Sequence, residues 1–197
     1  MSIDKQILSK VKKAKRGSLF FIDDFLVFSN YKAISKALER LVNKNEIIRI
    51  ARGIYSLSVV DPILGEIKPS TEDIAKAIAK KERARIIPSG ALSLNALGLS
   101  NQVPMNVVYL TDGSPRKISL GKRTILFKKT SAKNLILRGE ISTLVIQALK
   151  EIGNGNITQD EEQIILNHLR KEEINNLEHD IRFAPEWIRK IMRKVLK

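Results

Sequence analysis

The stretch EIIRIARGIYSLS, Glu46 to Ser58, sets Arg49, Arg52 and Gly53 inside an otherwise apolar, β-branched run. A guanidinium is permanently charged and presents a rigid fork of donors, so cations at this spacing suit phosphate contacts. Just upstream, Asn30, Tyr31, Lys32, Ser35, Lys36 and Arg40 crowd between residues 30 and 40. Their side chains can hydrogen-bond base edges and phosphates. Lys15 and Arg16 end an earlier basic run and could add phosphate contacts. The chemistry of this set is recognition of a polyanion.

Bond-making chemistry finds little support. The chain has no cysteine, which excludes disulfides, thiolate metal sites and a cysteine nucleophile. His168 and His179 are its two histidines, without an H-E-x-x-H pattern, and read as exposed helix residues. No P-loop and no G-x-G-x-x-G occurs, and Gly153 to Asn156 (GNGN) reads as a loop. Asp23 and Asp24 could form a metal pair, but stabilisation of a helix N-terminus is the better reading. Ser89 reads as a helix cap, not a catalytic serine. No enzyme activity, cofactor or metal is expected.

The elements that must position the basic set can be read in order. Ile3, Ile7, Leu8 and Val11 make one face of a helix from about Ile3 to Ala14, closed by Gly17. A short second helix is expected around Ile22 to Leu26, inside an apolar cluster of Phe20, Phe21, Phe25 and Leu26. Ser29 or Asn30 caps a third helix, in which Ile34, Ala37, Leu38, Leu41 and Val42 recur at helical spacing. The opposite face carries Lys32, Ser35, Lys36, Glu39, Arg40 and Asn43. Asn45 can take the left-handed conformation that ends it. IIRI and IYSLS then form a hairpin turning at Ala51-Arg52-Gly53, where Gly53 supplies positive φ. Ile48 and Ile50 are expected to face the helices, with Arg49 pointing away. Arg52 at the tip could enter a minor groove or clamp a phosphate.

Charge supports this reading. The net charge is +14 and the pI about 10.0. Residues 1–58 hold 12 Lys and Arg against 5 Asp and Glu; residues 59–140 hold 14 against 7; residues 141–197 hold 9 against 9. Attraction to a polyanion therefore resides in the first two thirds of the chain. No apolar run is long enough to span a bilayer, and the opening MSIDKQILSKVKKAK lacks the apolar centre of a secretory signal. A cytoplasmic location is expected.

Residues 59–69, with Pro62, Gly65 and Pro69, read as a linker. A helix follows from Ser70 to about Arg83, then a second ended by Gly98, whose apolar face holds Leu92, Leu94, Ala96 and Leu97. NVVYLTDG reads as a buried strand, and RKISLGKRTILFKKT as a hairpin turning at Gly121-Lys122, in a small antiparallel sheet. Arg116, Lys117, Lys122, Arg123, Lys128 and Lys129 decorate that hairpin. Beyond it come three helices: one with Leu144, Val145, Ala148, Leu149 and Ile152 at helical spacing, one capped by Thr158 with Glu161, and one opened by Pro185. The last is basic and amphipathic. Packing against its own domain is favoured over a membrane surface, with a docking face for a protein as the intermediate option. The expected fold is α+β: a winged helix-turn-helix over residues 1–58, the linker 59–69, and a small α+β domain over 70–197 with a mainly helical C-terminal part.

The N-terminal segment resembles the winged helix of the AbiEi antitoxins, from type IV, abortive-infection toxin–antitoxin systems of bacteria. The likeness rests on Phe21, Asp24, Phe25, the Ala33–Val42 helix and Ile47–Tyr55, with RIARGIY the most specific piece. That family commonly has glycine where this chain has Asn45. PSGALSLNALGLSNQVPMNVVYLTDG is similar to the family's second domain. The resemblance implies a DNA-binding repressor of its own operon, acting at double-stranded promoter DNA. It also implies, for the second domain, antagonism of a nucleotidyltransferase toxin encoded nearby. The basic strands of residues 116–129 serve that antagonism or extend the DNA contact; the two readings stand equal. The alternative from another class is a protein-interaction module whose basic surface binds an acidic partner, its winged helix being only structural.

Overall fold

Each helix of the N-terminal segment starts where a side chain can accept an otherwise unpaired backbone N–H. In the computed structural model, which describes residues 1–15, 17–58, 60–61, 65–102 and 104–196, α1 (Ile3–Lys13) is capped by the Ser2 hydroxyl, which accepts the Lys5 N–H at 3.4 Å. Asp4 in its first turn and Lys10, Lys12 and Lys13 in its last complement the helix dipole. Strand β1 (Leu19–Phe21) leads into a one-turn 3-10 helix (Ile22–Phe25), anchored by the Asp24 carboxylate accepting the Phe21 N–H at 2.7 Å. Helix α2 (Tyr31–Asn43) is capped by Asn30, whose Oδ1 accepts the Ala33 N–H at 2.9 Å. Asn45 ends it at φ 56°, as its residue type predicts.

Strands β2 (Ile47–Ala51) and β3 (Ile54–Leu57) form an antiparallel hairpin, and β1 adds to β3, giving the order β1-β3-β2. Ile7, Val11, Phe25, Ile34, Leu38 and Ile47 form the buried centre beneath it. Phe20 and Phe25 stack at 5.9 Å. One expectation is corrected here: Ile47, not Ile48 or Ile50, reaches that core. A bulge between Arg49 and Ala51 takes Ile50 out of the ladder, so simple alternation fails at that point.

Among the described residues of the linker, Val60–Asp61 (β4) and Gly65–Glu66 (β5) pair as a short antiparallel ladder; Pro62 lies outside the described residues. Helix α3 (Thr71–Lys81) follows, with the Ser70 hydroxyl accepting the Asp73 N–H at 3.0 Å. The chain divides into two compact units, Met1–Ala77 and Ile78–Lys197.

The second unit holds a four-stranded sheet of β6 (Ile86–Pro88), β7 (Asn106–Thr111), β8 (Arg116–Leu120) and β9 (Arg123–Lys129), in the order β6-β7-β9-β8. The sheet is mixed, not antiparallel as its hairpin suggests. From β7 the chain crosses to the far edge to lay down β8, then turns at Gly121-Lys122, so that β9 fills the gap parallel to β7. Helices α4 (Gly90–Ala96), α5 (Glu140–Ile152), α6 (Gln159–Leu169), α7 (Ile174–Ile181) and α8 (Glu186–Met192) complete the unit. In α4 the buried positions are Gly90 and Ser93, with Leu97 at the C-cap, while Ala96 is exposed; the expected apolar face is rotated. The Thr158–Glu161 capping box forms, with the Glu161 N–H donating to Thr158 Oγ1 at 3.2 Å. The last helix packs into its own core through Ile188, Ile191 and Met192. Over the described residues the fold is mixed α+β, and no helix is long and apolar enough to cross a membrane.

Candidate nucleic-acid interface

Helix α2 has three sides with different partners. Its apolar stripe, Ile34, Ala37, Leu38 and Leu41, is buried. At about 100° per residue, Arg40 falls toward α1, where it grips Asp4 with two hydrogen bonds, Nε to Oδ2 at 3.0 Å and Nη2 to Oδ1 at 2.6 Å. Those bonds hold the Asp4 carboxyl below the usual carboxylate range and raise the Arg40 guanidinium further. Arg40 is thus engaged in joining α1 to α2, which its placement among the readers did not anticipate. Lys32, Lys36 and Asn43 point outward and are exposed.

The third side faces the hairpin. Tyr31, 60% exposed, the half-buried Ser35 and the exposed Glu39 lie along it. The register pairs Arg49 with Tyr55, and cross-strand partners share a sheet face. Tyr55 belongs to the core beneath the helices, so Arg49 leaves the sheet on the α2 side. The expectation that it points away is corrected; the side chain is nevertheless exposed. Burial pushes the Tyr55 hydroxyl above its ordinary value, Arg49 opposes the shift, and Tyr31 and Glu39 add to it. Charged and polar groups of both α2 and β2 thus act electrostatically on that hydroxyl.

Arg52 and Gly53 make the two-residue tip of the hairpin. Arg52 is exposed; Gly53 is half-buried, at φ 75°, with its carbonyl accepting the Ile22 N–H at 3.2 Å. The tip is short, and β1 pairs alongside it up to Phe21 opposite Ile54. So blunt a ribbon leaves the Arg52 side chain as its only projection, which suits a phosphate contact better than entry into a groove. Asn30 is exposed, with its Oδ1 used as the helix cap. Lys15 is exposed, and Arg16 lies outside the described residues. Lys10 is taken up internally: its ammonium donates to the Asp24 carbonyl and sits 5.6 Å from the centroid of Phe25.

In the second unit, residues 113–139 contain Arg116, Lys117, Lys122, Arg123, Lys128, Lys129, Lys133 and Arg138 without one acid. Arg116 pairs with Glu82 and lies 5.6 Å from the Phe127 centroid, and Lys129 donates to the Asp112 carbonyl. Lys117, Lys122, Arg123 and Lys128 are exposed. Lys150 donates to Asn134 at 3.1 Å, and its ammonium is pushed down by burial and by Lys133.

Neither histidine is fully exposed, a correction to the sequence reading. His168 Nε2 lies 3.2 Å from the Leu97 carbonyl, and His179 Nδ1 lies 2.8 Å from Asp180 Oδ1. Asp180 is wholly buried and accepts the Arg138 N–H at 2.9 Å, the Gly139 N–H at 2.8 Å and the Ser142 hydroxyl. A Cβ on Gly139 would collide with Ser142 Oγ and the Glu172 carboxylate. In a hydrolase triad the imidazole bridges serine and carboxylate; here the carboxylate bridges both, and Ser142 is buried. The cluster anchors the start of α5.

No curated protein matches this sequence. The crystal structure of the RV2827C protein from Mycobacterium tuberculosis is similar at a TM-score of 0.44 and 10% identity, covering 98% of this chain and 81% of that one, which is too distant to carry an argument. A family model does match, over residues 6–177, and the chain belongs to that family, DUF6088, a family of unknown function.

Proposed function

We propose that the first unit is a winged helix-turn-helix that binds double-stranded DNA, with α2 as its recognition helix and the β2–β3 hairpin as a short wing. The observation that carries this reading is the exposed side of α2. Lys32 and Lys36 point outward, Tyr31 and Ser35 lie beside them, and the hairpin adds two exposed cations, Arg49 on the α2 side of β2 and Arg52 at the tip. The element order helix, strand, short helix, helix, strand, strand, with sheet order β1-β3-β2, supports it. A helix of 13 residues is about 20 Å long and fits a major groove about 12 Å wide.

The resemblance of RIARGIY and its surroundings to AbiEi antitoxins extends the proposal. The chain is then a cytoplasmic repressor of its own operon and the antitoxin to a nucleotidyltransferase toxin encoded nearby. A second reading, in which the basic surface binds an acidic protein, draws on the exposed cations of the β8–β9 hairpin.

The test is binding of the full chain to the duplex upstream of its own gene as a function of salt. Lys36→Ala with Arg52→Ala removes two phosphate contacts and flattens the log–log salt slope by about 0.9 per cation. Arg40→Ala, whose guanidinium is engaged by Asp4, leaves the slope in place. Unchanged affinity and slope in the double variant would overturn the reading.

A further inference from the structure

Glu39 is the one acid in α2. It lies on the hairpin-facing side of the helix, beside the solvent-facing side whose long charged side chains, Lys32 and Lys36, are cationic, and Arg49 leaves β2 on the α2 side. It is exposed, yet it makes no salt bridge among the described residues. Arg40, its chain neighbour, is turned away onto Asp4. Glu39 follows Lys36 by one helical turn, and Arg49, paired with Tyr55, leaves β2 on the α2 side, so both cations belong to its surroundings.

A carboxylate beside a phosphate-binding face opposes binding. A few ångströms from a phosphate the like charges repel even in bulk water. The arrangement becomes favourable when these two cations sit on phosphates and the acid is held over the groove floor. There it can only accept hydrogen bonds. Guanine presents acceptors to it (N7 and O6), as does thymine (O4), and adenine pairs a donor with the N7 acceptor. Cytosine presents the N4 amino group alone.

Resting on the proposed DNA-binding role, we propose that Glu39 is a specificity-determining residue that accepts a hydrogen bond from the N4 amino group of a cytosine in the major groove. It makes one operator position selective by exclusion as much as by attraction, because the same carboxylate repels the acceptor edges of guanine and thymine.

The experiment is enrichment from a duplex library with a randomised core, using the full chain as wild type, Glu39→Ala and Glu39→Gln, with far-UV circular dichroism on each. The wild type enriches a motif with one position held to cytosine. Glu39→Ala keeps the rest of the motif and loses discrimination there by about 5- to 150-fold, the span of one good base-edge contact. It also binds a non-cognate duplex more tightly, because a negative charge is gone. Glu39→Gln moves the preference at that position to adenine, whose N6 and N7 match an amide. A wild-type motif that both variants reproduce unchanged, cytosine included, overturns the assignment while leaving the DNA-binding role intact. A wild type that enriches no motif overturns sequence-specific binding itself, and Glu39 with it.

Discussion

Replacing Asp180 with asparagine tests the buried cluster at the start of α5. Each carboxylate oxygen meets two groups. Oδ1 faces the Arg138 N–H and His179 Nδ1; Oδ2 faces the Gly139 N–H and the Ser142 hydroxyl. An amide keeps one oxygen and gains an –NH2. Whichever way it flips, a backbone N–H then points at a nitrogen donor in a site with no exposure. One buried unmatched N–H costs about 1–3 kcal/mol, and the neighbouring side-chain group adds a similar amount unless it reorients. The sum is about 2–6 kcal/mol. For a unit of this size that lowers the melting temperature by on the order of 10 °C. The chain has one tryptophan, Trp187, packed against the core of this unit, so its fluorescence in urea follows the unit directly. The midpoint should fall with the slope unchanged. A loss below about 1 kcal/mol would refute the reasoning and make the carboxylate a bystander. Ser142→Ala should cost less than Asp180→Asn, because it removes one donor and leaves both backbone N–H groups matched.

Leu38→Ala, at a position of zero exposure beneath α2, should destabilise the first unit by about 2–5 kcal/mol in circular-dichroism melts; a near-neutral result would place α2 outside the core. The Arg40 hydrogen bonds hold Asp4 below the usual carboxylate range, and the Arg85 backbone N–H followed by its guanidinium does the same for Asp112. The unfolded chain therefore takes up these protons at a higher pH than the folded one. Their stabilisation is complete above about pH 5 and fades as pH falls through the depressed folded values. An Asp4→Asn, Asp112→Asn double variant should lose stability less steeply than wild type between pH 5 and pH 3; parallel declines would refute this.

What local pattern controls was legible in the sequence. The stripe of α2, the Asn45 terminator, the Thr158–Glu161 box and the Gly121-Lys122 turn each depend on residues within a few positions of one another. Strands β1 and β6 escaped because three residues are too few to show alternation. Helix α7 escaped because it offers two buried apolar positions, Leu177 and Ile181, and no side-chain cap. Non-local partners were invisible for a different reason. Arg40 reads as a free reader until Asp4, 36 positions away, is folded against it. Arg49 changes face once the register and the Ile50 bulge are known. His179 reads as solvent-facing until the start of α5 closes over Asp180. Pattern thus located the basic helix and its hairpin, while contacts distant in sequence decided which of their cations remain available.

The strand order β6-β7-β9-β8 has a bearing on how the polypeptide leaves the ribosome. One edge of β7 is to be covered by β9, yet β8 is synthesised first and belongs on the far side. The β8–β9 ribbon, with its two-residue turn, can zip up by itself in microseconds and then slide in as a finished piece. Until Lys129 has emerged, an apolar strand waits with bare amides along that side, open to any extended segment nearby. The lysines and arginines that stud the arriving ribbon repel copies of themselves, so the nascent gap is guarded by the piece that will fill it.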